Sequence, residues 1–187
     1  MPTEVKHLMI DIETLGTKLS SVVTSVALVP FTMLNGPATR CESLIRGLHI
    51  GDQLVNGRTI DPSTLEWWTR QSVEARRVAF SGNCYFDTFH YDVRMFLAQC
   101  DYQYLWCKGP AFDAAMLESL LETFGAAPSP FNYKRWRDVR TFCDGVEYPS
   151  FEGTEHDAYD DCVNQIRHVC KAWVCKACEP EIYGEKK

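Results

Sequence analysis

Asp11 and Glu13 stand two residues apart in HLMIDIETLG, residues 7–16. On a strand, side chains two apart share a face, so both carboxylates converge on one point while Ile12 turns back into the core. Two acids at the end of the apolar run Leu8-Met9-Ile10 are costly unless a positive charge sits with them, and a hard divalent cation is the natural occupant of such a nest. A solvated strand end is the ordinary alternative. Two further acids lie far downstream. Asp113, in GPAFDAAMLESLLETFG, is four residues before Leu117 and shares the helical face of Leu117, Leu120, Leu121 and Phe124, so it points at the core unless it merely caps its own helix. Asp161 stands beside Ala158 and Gln165 on the inner face of a last helix, marked by Ala158, Cys162, Ile166, Val169, Cys170 and Trp173. His156 is five residues before Asp161, about 140° away round an ideal helix. The two share a site only if His156 lies at or before the helix start, which the loop Glu152-Gly153-Thr154 permits; a surface histidine is the alternative. Asp157 and Asp160 read as first-turn acids that complement the helix dipole.

The elements that must position these groups follow from periodicity and punctuation. Residues 5–11 read as a strand, followed by a second at 21–29 closed by Pro30, a turn at Asn35-Gly36-Pro37, and a third extended segment at 39–48. Asp61-Pro62 then opens a helix carrying Trp67, Trp68 and Gln71, with further helices at 73–80 and 85–99. A strand at 104–107 stops at Gly109-Pro110, before the helix of Asp113 and the last helix. The order β-β-β-α-β-α with a final helix indicates an α/β domain with a mixed sheet. A chain of 187 residues, 45% of them hydrophobic, suits one domain, with a charged, loose tail from about residue 179. No apolar run is long enough to span a bilayer, and Met1-Pro2-Thr3-Glu4 lacks the features of a signal peptide, so a cytoplasmic protein with no membrane partner is expected. The nine cysteines are scattered, which fits reduced thiols rather than a disulfide framework. Cys175 and Cys178 form a Cys-x-x-Cys, but no second pair completes a zinc site. A net charge of −6 argues against bulk attraction to a polyanion, though local cations and bound metal can still serve one.

Asp-x-Glu after a strand, an Asp on a middle helix and His-x-Ala-x-x-Asp on the last helix together resemble the DEDD superfamily of 3'-5' exonucleases on the RNase H-like fold. With His156 five residues before Asp161 the sequence is similar to the histidine type, DEDDh. DPSTLEWWTRQSVEAR and RWRDVRTF further resemble a subgroup of compact phage and prophage exonucleases and a related mycobacterial exoribonuclease. The resemblance implies a central mixed five-stranded sheet flanked by helices, in bacterial or phage-infected cytoplasm. It also implies two divalent cations, Mg2+ or Mn2+, held by Asp11, Glu13, Asp113 and Asp161. Asp11 would bridge both ions, Glu13 and Asp161 would complete the nucleophile-side ion, and Asp113 would hold the other. His156 would be the general base, its unperturbed pKa of about 6.5 suiting proton abstraction near neutral pH.

The expected substrate is the 3' end of single-stranded DNA or RNA, DNA slightly favoured, with nucleoside 5'-monophosphates released. By resemblance Thr14, Leu15 and Gly16 grip the terminal nucleotide. Trp68 and Gln71 are the expected partners, as an aromatic face for a base and an amide for hydrogen bonds, unless the tryptophans are core. Tyr133-Lys134-Arg135-Trp136-Arg137, with Arg140, is the locally basic and aromatic stretch; Arg137 is the chosen phosphate contact, against the alternative of a solvated face. Asp138 pairs with a neighbouring arginine in this reading. A homodimer is left open. The competing function is a nucleic-acid- or polymerase-binding protein that retains the fold with weak catalysis, which the intact set of four acids and a histidine disfavours.

Overall fold

The structure, a computed structural model, describes residues 6–125 and 129–178. Val5, the expected start of the first strand, and the tail from 179 lie outside them. Strand β1 (Lys6–Thr14) pairs antiparallel with β2 (Val23–Thr32) and parallel with β5 (Tyr104–Cys107), which pairs parallel with β6 (Trp136–Asp138). The outer edge of β2 carries two short antiparallel partners, β3 (Gly36–Pro37) near one end and β4 (Leu44–Gly47) further back. The mixed sheet therefore has six strands rather than five. The strands not expected individually are β3, which lies in the expected turn at 35–37, and β6, from the basic stretch, while β4 falls inside the extended segment expected at 39–48. Thr39 and Glu42 form a capping box around a 3-10 turn, Arg40–Glu42, which lifts the chain off the sheet between β3 and β4.

Two strand ends also differ from expectation. β1 does not stop at its acids: Asp11 lies opposite Ala27 and Glu13 opposite Ser25, and a register irregularity follows between Glu13 and Thr14. Cross-strand pairing overrides the poor strand propensity of Asp and Glu. Pro30 does not close β2 either. It lies within the strand, in the gap between the outer ladders to β4 and β3, where a missing N–H costs least.

The helices are α1 (Ile50–Val55), α2 (Pro62–Thr69), α3 (Val73–Phe80), α4 (Phe86–Gln99), α5 (Asp113–Thr123), α6 (Val139–Phe142) and α7 (Ala158–Cys178). Asp61 caps α2 through the Ser63 amide, with Pro62 in its first turn as the sequence indicates. The α1 segment carries no apolar periodicity and is not visible in the sequence. It is anchored by Gln53, whose side chain accepts from the Val23 amide at 2.8 Å and donates to the Val23 carbonyl at 2.7 Å.

Alternation along β1 divides the core. Leu8, Ile10 and Ile12 face α4 and α5, packing with Phe89, Val93, Leu117, Leu120 and Leu121. Met9 faces the opposite side, with Ala27, Val29, Trp106 and the Cys162, Ile166, Val169 stripe of α7. Asp11 and Glu13 continue the Met9 side, which brings them under the start of α7. Among the described residues no helix is long and apolar enough to cross a membrane.

Candidate active site

All four acids and His156 line one cavity of about 470 Å³, together with Ile12, Lys108, Phe112, Arg140 and Gln165. The cavity lies beyond the carboxyl ends of the parallel strands β1 and β5, the end at which open α/β sheets bind ligands. Asp113 reaches it from the first residue of α5. Phe112 occupies the cap position and no side chain caps that helix, so the self-capping alternative is removed. Asp161 enters from the first turn of α7. His156 lies two residues before that helix in a left-handed backbone conformation, φ 65°, which satisfies the condition the sequence imposed on it. Its amide donates to Asp161 Oδ2 at 2.8 Å, its Nδ1 stands 3.8 Å from Glu13 Oε1, and its ring meets Trp67 edge-on with centroids 4.7 Å apart.

The electrostatics of the cavity call for positive charge. Burial, then the charges of Asp113, Glu13 and Asp161, hold the Asp11 carboxyl well above the usual carboxylate range, against one hydrogen bond from Gln165. Glu13 is raised well above its ordinary value by burial and by Asp161, Asp113 and Asp157. Burial pushes Asp113 up to about 7, although its own amide, the nearby Arg140 and the Ile12 amide pull it down. Asp161 is raised chiefly by burial, against the amide and ring of His156 and the Lys108 ammonium. Carboxylates so crowded stay protonated or take up a cation. The donor set fits hard divalent ions: carboxylate oxygens, with Glu13, His156 and Asp161 able to bring ligand atoms within 4.8 Å of one another. The fit is strengthened by Gln165, which is buried and donates to Asp11 Oδ1 at 2.7 Å, leaving its Oε1 without a partner in the cavity wall.

Residues 6–173 match the family model of the Rv2179c-like 3'-5' exoribonuclease domain. The chain belongs to this family. It is a hydrolase of the 3'-5' exonuclease class. An exodeoxyribonuclease of Enterobacteria phage T4 is 26% identical over 84% of this chain and 85% of its own length. Among solved structures, the nuclease domain of 3'hExo, a DEDDh family member bound to rAMP, matches with a TM-score of 0.65, covering 98% of both chains at 13% identity. Exonuclease I of E. coli in complex with a 5cy-dA13 oligonucleotide matches with a TM-score of 0.60 at 10% identity. That match covers 90% of this chain, which spans 40% of the E. coli protein. At such identities these two establish the RNase H-like fold.

The expected substrate contacts of the exonuclease are rearranged. Trp68 is core: it is 2% exposed, packs with Leu15, Val22, Ala75 and Ala79, and donates its indole N–H to the Thr14 carbonyl at 2.9 Å. Trp67, 39% exposed, is the tryptophan at the surface beside His156. Leu15 is also core at 1% exposure, and its amide and carbonyl are bonded to Val22 and Asp61. A side chain at Gly16 would run into Ser21 and Asp61, so that glycine serves packing of the chain on itself. Gln71 lies past the α2 cap and turns back to the Trp67 carbonyl at 3.1 Å. Of these residues only Thr14 lines the adjoining pocket of about 450 Å³, together with Ile12, Glu13, Thr17, Ser63, Thr64, Trp67 and Phe112.

Arg137 is likewise elsewhere. Its guanidinium lies 4.2 Å over the Tyr104 ring and donates to the Trp136 carbonyl at 2.7 Å, in an apolar cleft apart from the acids. Arg135 similarly covers Tyr102, so half the basic stretch packs on aromatic rings. The cations in the cavity wall are Arg140 and Lys108. Asp138 caps α6 through the Arg140 and Thr141 amides and pairs with no arginine side chain among the described residues. Gln165 and Lys108 were missed by the sequence reading. Gln165 carried a signal, one helical turn after Asp161 on the inner face. Lys108 had only its place after a strand.

Proposed function

We propose that the protein removes nucleoside 5'-monophosphates from the 3' end of single-stranded nucleic acid with two divalent cations, Mg2+ or Mn2+. The observation that carries this reading is the convergence of Asp11, Glu13, Asp113 and Asp161, from three separate elements, on one cavity with His156 in its wall. In this reading Asp11, Glu13, Asp113 and Asp161 would hold the ions. When bound, the ions supply charge neutralisation on the phosphate and activation of the attacking water. His156, its Nδ1 3.8 Å from Glu13 Oε1, accepts the proton of that water. Lys108 and Arg140 meet the charge of the phosphodiester. The pocket between Trp67 and Phe112 takes the terminal nucleoside, and Gln165 fixes the orientation of Asp11.

Both sugars are proposed as substrates. The family model is that of an exoribonuclease, the phage relative is an exodeoxyribonuclease, and of the Thr14, Thr17, Ser63 and Thr64 side chains that line the pocket, those of Thr14 and Ser63 already donate their hydroxyls to the Gly16 carbonyl and the Asp61 carboxylate. A buried contact built for one hydroxyl would discriminate by about 10⁴-fold. On matched DNA and RNA oligomers the two rates are expected within roughly tenfold of each other.

Purified protein incubated with a 5'-labelled single strand and Mn2+ should give a ladder that shortens from the 3' end. Inert substrate with metal bound would instead support the binding protein. His156→Ala should lower turnover by about 10²–10⁴-fold while divalent-ion affinity stays within a few-fold, and retention of full rate would refute the general base.

A further inference from the structure

We propose that Arg40, more than a hundred residues before His156 in the sequence, is a positioning residue that holds the segment bearing His156 against the acids. The inference rests on the proposed role of His156. That histidine sits on a segment without regular structure between α6 and α7, in a left-handed conformation uncommon for a side-chain-bearing residue. Such a conformation persists where the surroundings over-determine it. Here the surroundings are the acids that follow.

Asp157, the last residue of the segment, divides its two oxygens between the first turn of α7 and Arg40, and Asp160, in that first turn, divides its own between the segment and Arg40. Asp157 Oδ1 accepts from the Tyr159 amide at 2.9 Å and the Asp160 amide at 3.3 Å, while its Oδ2 accepts from Arg40 Nη2 at 3.2 Å. Asp160 Oδ2 accepts from the Thr154 amide at 2.9 Å, and its Oδ1 accepts from the same Arg40 nitrogen at 2.8 Å. The guanidinium also lies 4.2 Å over the ring of Tyr159, whose hydroxyl donates to the Ala38 carbonyl at 3.3 Å. One cation thus ties both carboxylates, which lie in sequence between the hydrogen-bonded residues His156 and Asp161, to the turn between β3 and β4. Arg40 lies outside the cavity of the acids, so it touches neither the reacting atoms nor the metal-holding oxygens.

The Arg40 side chain is 50% exposed, and exposed ion pairs contribute little to global stability. Its removal should therefore appear in the segment and in the rate rather than in the melting temperature. Misplacing a catalytic group by about 1 Å can cost about 100-fold. Two readouts test the proposal in the full chain. Amide hydrogen exchange of Arg40→Ala should quicken in residues 153–157 and stay unchanged in residues 162–172. Unchanged exchange in 153–157 overturns the proposal whether or not the protein cleaves nucleic acid. In kinetics, Arg40→Ala should lower kcat about 10- to 100-fold with KM and divalent-ion affinity within about twofold, and Arg40→Lys should recover part of the loss. Combined with His156→Ala, the Arg40 substitution should cost nothing more, because both act through one group. Equal losses in both backgrounds, or a change in KM alone, would overturn it. A wild-type protein inert on single strands would sink the exonuclease reading instead, and the exchange result would still decide the role of Arg40.

Discussion

Trp67 and Trp68 are identical in type and adjacent in sequence, yet a step of about 100° round α2 gives them opposite duties. Trp68 fills the space between the loop after β1 and α3, and spends its indole N–H on the Thr14 carbonyl. Trp68→Ala should destabilise the fold by about 3–5 kcal/mol, read as a shifted denaturant midpoint. Trp67 fronts the pocket proposed for the terminal nucleoside and packs on His156. Trp67→Ala should leave the midpoint nearly unchanged and weaken oligonucleotide binding by about 1–3 kcal/mol, measured as KM or as a titration with inactive enzyme. A destabilised Trp67 variant with normal binding would reverse the assignment. Both would read alike to any scan of residue types, because helical spacing alone does not say where the wall of a core ends.

At the scale of elements, the backbone crossing between β4 and the turn after α3 matters as much as any side chain. A Cβ on Gly82 would collide with the backbone of Gly47 and Leu48, and one on Gly47 would stand 2.8 Å from Gly82 Cα. The chain around Gly82 also receives the parallel bridge between Leu48 and Cys84. Gly82→Ala forces main chain apart with no flexible side chain to yield, so a loss of about 1–3 kcal/mol is expected in a denaturation curve. An unchanged midpoint would mean that the crossing adjusts freely. Capping signals served the sequence reading well here. Asp61-Pro62 marks the start of α2; Ser72, whose side chain caps α3 through the Ala75 amide, is a signal of the same kind that the sequence reading did not use. The two-residue β3 and the 3-10 turn escaped it, since such short pieces have no period to detect.

For the whole molecule, four acids buried together make stability depend on pH and on cations. Asp113 has a folded pKa of about 7 against an ordinary value of 3.8, and Asp11, Glu13 and Asp161 are shifted in the same direction. Between those values the folded state binds more protons than the unfolded one, so this contribution to stability falls as pH rises from about 4 to about 7. In chelator the protein should melt higher at pH 5.5 than at pH 8. Millimolar Mg2+ or Mn2+ should raise the melting temperature more at pH 8, where ions replace the missing protons. A chelated protein equally stable at both pH values would mean that the acids do not share a site.

What the sequence by itself determined is local. The two-residue spacing of Asp11 and Glu13 puts them on one face of a strand, and the inner stripe of the last helix carries Asp161. The five-residue offset obliges His156 to precede that helix. These follow from repeat distances that hold wherever the chain forms a strand or a helix. Tertiary structure decided the rest: Arg140 rather than Arg137 in the cavity wall, Trp67 rather than Trp68 at the surface, and Arg40 beside Asp157 and Asp160. Those outcomes depend on which segments close upon one another and which side chains lose contact with water. No periodicity within a segment records the identity of its distant neighbour.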